Sequence, residues 1–230
     1  MRFKNREEAG RRLVDRLMRY HEDPAALILA LPRGGVAVGY QLSLGLHLPL
    51  DVFITRKLGA PDNPEYALGA VGETGRVYLN HDAMATYGFS QSDIEALVQA
   101  QQREIARRQD LYRQDRRLPT LTDRIVILVD DGIATGSTFF ISAQSIRQLK
   151  PRRLVGAIPV GPMDTIREAC MQVDELIVLA TPDPFWSVGN HYIDFTQVSD
   201  HDVVEYLNLA DESLLGWKER SQASTASPPR

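Results

Sequence analysis

The sequence predicts an α/β protein built on one central, mostly parallel sheet flanked by helices. Three observations lead there. Short apolar runs of strand length recur along the chain: Ala25–Leu31, Leu48–Thr55, Ile125–Val129, Leu154–Val160 and Glu175–Leu179. Segments with helical periodicity fall between them. Strict alternation of the two requires crossover connections, which lay helices over the faces of a parallel sheet.

Taken in order, Arg6–Arg19 reads as an amphipathic helix with Ala9, Leu13, Leu17 and Tyr20 on one stripe. The apolar strand Ala25–Leu31 follows, then a helix from Gly35 to Leu46 and a second strand from Leu48 to Thr55. Thr55–Tyr66 leaves that strand with two cations and several turn formers, so it reads as a loop. Ser90 and the run Ser92–Glu95 cap a long helix that ends toward Arg113. Ile125–Val129 is short and β-branched enough to be buried on both faces, and a helix from Thr138 to Lys150 follows it. The alternation continues with strand Leu154–Val160, helix Met163–Met171, strand Glu175–Leu179 and a last helix from Asp200 to about Trp217. Residues 1–220 read as one domain, and 221–230, rich in Ser, Ala and Pro, as a disordered tail.

Composition narrows the function classes. A chain of 230 residues with 43% hydrophobic content can bury a substantial core. No apolar run reaches membrane-spanning length, and Met1–Arg6 lacks a signal-peptide core, so the cytoplasm is the expected location. Cys170 is the single cysteine, which excludes an intrachain disulfide and a cysteine-based zinc cluster; it is expected on a buried helix face. The net charge of −4 gives no general attraction to nucleic acid or anionic lipid. The histidines are scattered in sequence, so no histidine metal site is expected.

The chemistry concentrates after Ile125–Val129. Asp130 and Asp131 stand where that strand emerges at its carboxyl end, the place where open α/β sheets collect ligands. Two adjacent carboxylates there can accept hydrogen bonds from the vicinal hydroxyls of a ribose. Gly132 and Gly136 permit tight turns, and Thr135, Ser137 and Thr138 add hydroxyls at a helix start, a combination suited to a dianionic phosphate. The alternative is a plain βα turn with an acidic cap. Arg33, Gly34 and Gly35, after the first strand, form a second candidate anion loop, or a simple turn.

Asp130–Thr138, after its hydrophobic strand, resembles the signature of the type I phosphoribosyltransferases, which bind 5-phosphoribosyl 1-diphosphate (PRPP). The resemblance extends from about Ala25 to Phe195 and implies that family's fold, with a small hood formed by the terminal and C-terminal segments. It implies that Asp130 and Asp131 hold the ribose hydroxyls and that Ala134, Thr135, Gly136, Ser137 and Thr138 wrap the 5-phosphate. Arg33, Gly34 and Gly35 then correspond to the diphosphate loop, where the family often carries a cis peptide, here Pro32–Arg33. Arg56 and Lys57 can reach the same diphosphate, with the loop around Gly59, Pro61 and Pro64 as a cover or as plain surface. Mg2+ is implied as the bridge, touching Asp130 and Asp131 directly or through water. Pro182–Asp194 resembles the base-binding segment: Phe185 or Trp186 stacks on the acceptor and Asp194 reads its edge, unless the aromatics close the core instead.

Two departures bear on the acceptor. Ala134 replaces an acid that the 6-oxopurine enzymes use to take a proton, and the run Ala157–Pro162 lacks their lysine. Glu65, near the position of a loop carboxylate in the adenine-using branch, is the candidate base. The expected activity is therefore Mg-dependent phosphoribosyl transfer from PRPP to a nitrogen acceptor, a nucleobase by preference, in a homo-oligomer by family resemblance. The alternative is a PRPP-sensing regulator that keeps the site without catalysis.

Overall fold

The structure, a computed structural model, describes residues 2–60, 63–79, 84, 91–114 and 116–225, excluding the side chains of 63–67, 78, 91 and 223–225. Helix α1 (Arg6–Leu17) is started by Asn5, whose side chain accepts from the Glu8 backbone N–H at 3.0 Å, with Glu7 and Glu8 complementing the dipole in its first turn. It leads through a short 3₁₀ turn into β1 (Ala26–Ala30), then α2 (Gly34–Leu46) and β2 (Leu50–Val52). Next come β3 (Thr55–Ala60), β4 (Asn63–Gly72), β5 (Val77–Leu79) and the long helix α3 (Gln91–Arg113). The second half alternates regularly: β6 (Ile125–Val129), α4 (Ser137–Arg147), β7 (Arg153–Val160), α5 (Met163–Gln172), β8 (Glu175–Ala180) and α6 (Asp200–Thr225).

Five of the strands make the central sheet, ordered β2-β1-β6-β7-β8 and parallel throughout. Its period-2 alternation divides the core between two faces. Ile28, Ala30, Ile127, Val129, Val155 and Ala157 pack under α1, α2 and α6 with Leu13, Leu17, Leu42, Val203 and Leu207. Leu27, Leu29, Val126, Leu128, Leu154 and Ile158 pack on the other face against Phe139, Ala143 and Ile146 of α4 and Ile166 and Ala169 of α5. Helices α1 and α2 lie close: a Cβ on Gly10 would come within 2.6 Å of the Gln41 Cβ.

The segment expected as a loop after Thr55 is instead a strand pair. β3 and β4 run antiparallel from Thr55↔Gly72 to Ala60↔Asn63, and β5 adds a third strand, so this small sheet stands apart from the central one. Leu58 and Ala60 are buried, which supplies the drive; the glycine and register shifts at Leu58–Ala60 hid the alternation from the sequence. The expected strand Leu48–Thr55 accordingly breaks into β2 and the start of β3. Pro61 lies outside the described residues. Cys170 is exposed on α5, not buried: Ile166 and Ala169 take the inward face of that helix and leave its neighbour outside. α6 continues to Thr225, so the first part of the expected tail is helical, and 226–230 lie outside the described residues. Among the described residues no helix is long and apolar enough to cross a membrane.

Candidate active site

The strand order fixes where a crevice opens. From β1 the chain crosses to β2 on one side, and from β6 it crosses to β7 on the other, so the carboxyl ends of β1 and β6 flank the point where the winding reverses. Residues 31–35 and 130–138 meet there. The Pro32–Arg33 peptide is cis. A Cβ on Gly34 would overlap Oδ2 of Asp131, and one on Gly35 would lie 2.9 Å from both the Asp130 Cα and the Val129 carbonyl oxygen. Only glycines let the two loops approach this closely.

Asp130 Oδ1 accepts from the Asp131 backbone N–H at 2.8 Å. Arg6 Nε donates to Asp131 Oδ2 at 2.6 Å, and its Nη1 donates to the Thr196 carbonyl at 2.8 Å. The same guanidinium lies 3.9 Å from the centre of the Phe195 ring, and the Tyr192 hydroxyl donates to the Asp131 carbonyl at 2.5 Å. Burial, and then the neighbouring Asp131 charge, pushes the Asp130 pKa well above the carboxylate range. Burial raises Asp131 as well, opposed by the Arg6 charge. Desolvated acceptors of this kind gain more from a hydroxyl donor than exposed ones do. Burial also raises the Tyr192 pKa, which keeps that hydroxyl a donor.

Beyond the acids the chain turns at Gly136, whose φ of 75° is left-handed and whose added Cβ would run into the Phe140 ring. The first bond of α4 runs from the Phe140 N–H to the Gly136 carbonyl at 2.9 Å, leaving the N–H groups of residues 137–139 without intrahelical acceptors. Thr135 and Ser137 hydroxyls sit 3.2 Å apart at the rim, and Ala134 is held through its carbonyl by Thr165 Oγ1 at 2.8 Å. A cavity of about 110 Å³ lined by Asp130 and Gly132–Phe139 opens onto these groups.

Arg33 extends toward Asp200 at the start of α6, with Nη1 3.8 Å from Oδ1. Asp200 also accepts from the Tyr112 hydroxyl at 2.6 Å and from Arg107 at 3.1 Å. Arg56 is no loop cation: it leaves β3 toward α3, where Nε donates to Gln101 at 3.0 Å. Burial, then the charge of Arg108, lowers its pKa. Lys57 is half-buried on the same strand. The backbone of Glu65 lies in β4, its side chain outside the described residues.

In the Pro182–Asp194 segment, Phe185 stacks on His191 with ring centres 5.1 Å apart and packs against Phe3, Val160 and Tyr192, so it closes the core. Trp186 is 79% exposed. Asp194 accepts from the Thr196 N–H and hydroxyl at 3.0 and 2.6 Å. The chain's first residues line this wall: Phe3 N–H donates to the His191 carbonyl, and Ile193 N–H donates to the Phe3 carbonyl, both at 2.8 Å. Sequence reasoning missed Arg6, Tyr192, Asp200 and Tyr112. Arg6 and Asp131 stand 125 positions apart, and no local pattern announces a contact over that span.

Residues 3–160 match the family model described as a phosphoribosyl transferase domain. Two relatives from strains of Mycobacterium tuberculosis, Rv0571c and MT0597, whose names place them provisionally among the phosphoribosyl transferases, are each 41% identical over 208 residues. The alignment takes in 90% of this chain and 47% of theirs, so the chain spans about half the length of these curated relatives. The crystal structure of TT1426 from Thermus thermophilus is 38% identical, with a TM-score of 0.77 over 90% of this chain and 98% of that one.

Proposed function

The chain belongs to the phosphoribosyl transferase domain family, and from that premise we propose that it is a phosphoribosyltransferase acting on PRPP and a nitrogen acceptor. The observation that carries this reading is the contact of two anion-suited loops at one switch point, with Gly34 and Gly35 pressed against Asp131 and Asp130. Asp130 and Asp131 accept from the ribose 2- and 3-hydroxyls, Asp131 being held for this by Arg6. Ala134–Thr138 receive the 5-phosphate at the start of α4. Arg33, Gly34 and Gly35 receive the diphosphate, with Arg56 and Lys57 on the adjoining strand adding positive potential. Trp186 is the better candidate for stacking on the acceptor, since Phe185 is already packed; Asp194 pairs with its edge.

In the reaction the bond from ribose C1 to the diphosphate oxygen breaks and its electron pair leaves with the diphosphate. The acceptor nitrogen forms the new bond to C1 and gives up a proton, with Glu65 as the proposed base. The ring passes through an oxocarbenium-like state, so positioning and stabilisation of the departing charge are the protein's main tasks. The donor set suits Mg2+ in its usual mode, with one or two carboxylates completed by substrate oxygens and water. Asp130 is the carboxylate that would hold it, and Asp131 would act through water because Arg6 occupies Oδ2. Bound there, the ion supplies neutralising charge for the diphosphate. With a nucleobase as acceptor the reaction is a step of nucleotide salvage; a cytoplasmic location and a homo-oligomer, as the family resemblance implies, belong to the same proposal.

The test is calorimetric titration of PRPP with magnesium, then diphosphate release against a panel of nucleobases and small amines. Saturable binding with acceptor-dependent release is expected. Binding without release from any acceptor would point to a PRPP sensor, and no binding would overturn the site. Glu65→Gln should lower the release rate at unchanged PRPP affinity.

A further inference from the structure

At the far end of α2 from the crevice, residues that the sequence holds apart come together. His47 ends α2 in a left-handed conformation, φ 52°, and Glu22 adopts φ 59° in the turn before β1. The two turns are joined by a hydrogen bond from the Glu22 N–H to the Leu46 carbonyl at 2.9 Å. His21 then meets His47 edge to face, ring centres 5.1 Å apart, and His21 Nδ1 lies 3.4 Å from Glu22 Oε1. His47 rests on the Trp217 ring of α6 at 4.7 Å, which limits its rotation. One ligand atom from each of His21, Glu22 and His47 lies within 4.8 Å of the other two.

We propose that His21, Glu22 and His47 form a binding site for a divalent transition-metal ion of the zinc class. Two imidazoles and one carboxylate are a donor set such ions favour over Mg2+. Bonds of about 2.0–2.2 Å in tetrahedral geometry bring ligand atoms to about 3.3 Å from each other. Side-chain rotations that draw the ligand atoms together by at most about 1.5 Å, from within 4.8 Å of one another, close the set on an ion. Partial exposure of His21 and Glu22 gives an entry path and leaves coordination positions for water. The site also faces the carboxyl end of α2, where the helix dipole favours positive charge and no basic side chain of α2 occupies the last turn, while the Arg220 charge of α6 acts on His47 in the opposite sense. Trp217 supplies the outer support that keeps a ligating ring in place. The bound ion joins the turn before β1 to the end of α2, beside α6, and stabilises the fold at a distance from the ribose crevice.

The experiment uses the full chain without a histidine tag. Calorimetry with Zn2+ alone is expected to show one saturable site that is absent from both His21→Gln and His47→Asn and weakened in Glu22→Gln; asparagine is chosen at position 47 because it tolerates left-handed backbone. Ni2+ is expected to quench Trp217 fluorescence in a Trp186→Phe background, and quenching should vanish with His21→Gln. Zn2+ at a hundredfold excess over its dissociation constant should raise the unfolding midpoint by roughly 5–11 °C in the parent chain only. Circular dichroism separates loss of the site from loss of fold. Absence of saturable binding, or binding that survives both histidine substitutions in folded protein, would overturn the proposal.

Discussion

Asp130 is a residue whose placement works against stability. Buried beside Asp131, it has a pKa raised from the ordinary 3.8, foremost by desolvation. Between 3.8 and its raised value the native state holds a proton that the unfolded chain has already lost, so stability falls as pH rises through that window. Asp130→Asn removes this burden, and its unfolding midpoint should exceed that of the parent chain at pH 8 by more than at pH 5. Each kcal/mol recovered appears as about 2–4 °C in a thermal melt. The same substitution should abolish PRPP binding, since an amide offers the ribose diol a weaker acceptor beside Asp131. A chain that is destabilised by it would contradict the electrostatic reading. The acid pair was legible in the sequence because it follows an apolar run directly and lies beside glycines. Arg6 was not: its role depends on the 191–196 segment folding back across the sheet, which composition and spacing do not encode.

Among the elements, α3 is fastened by a charge cluster in the core. Arg113 at its last position bonds Glu73 at the end of the small sheet, Asp51 of β2 at 2.8 Å and the Val52 carbonyl. The Glu73 side chain is 1% exposed and also accepts from the Ile54 N–H at 2.9 Å. Arg113→Met therefore strands two carboxylates without their cation, a loss of about 3–5 kcal/mol. The unfolding midpoint should fall by roughly 6–20 °C, far more than for Arg116→Met, an exposed arginine whose partner Asp211 is half-buried. Equal losses at the two positions would remove the special role of the buried cluster. The inward turn of Arg113 was not legible, because Arg103, Arg107, Arg108, Arg113, Arg116 and Arg117, interleaved with Glu104, Asp110 and Asp115, look like a solvated basic helix end whether or not one member turns inward. The central strands were legible for the opposite reason: five residues apolar on both faces admit few other environments. β3 and β4 were obscured by glycine and proline at their junction, and only their pairing partner reveals them.

For the molecule as a whole, the sheet's reversal between β1 and β6 gathers both loops into one crevice, so a ligand that fills it bridges the two halves of the fold. PRPP with magnesium at a hundredfold excess over its dissociation constant should raise the unfolding midpoint by roughly 5–11 °C, and Asp130→Asn with Asp131→Asn should erase that rise. A rise that persists in the double variant would assign PRPP to another surface. The wall of the crevice has a further consequence, because it joins segments made far apart in time: Arg6 reaches the Thr196 carbonyl across 190 positions. At synthesis rates of about 5–20 residues per second, the segment around Arg6 waits roughly 10–40 s for its partner. Throughout that interval Phe3 has no Tyr192 to pair with, although the acid pair has long since emerged. A growing chain therefore cannot complete this wall of the crevice until Thr196 has been added and has cleared the ribosome.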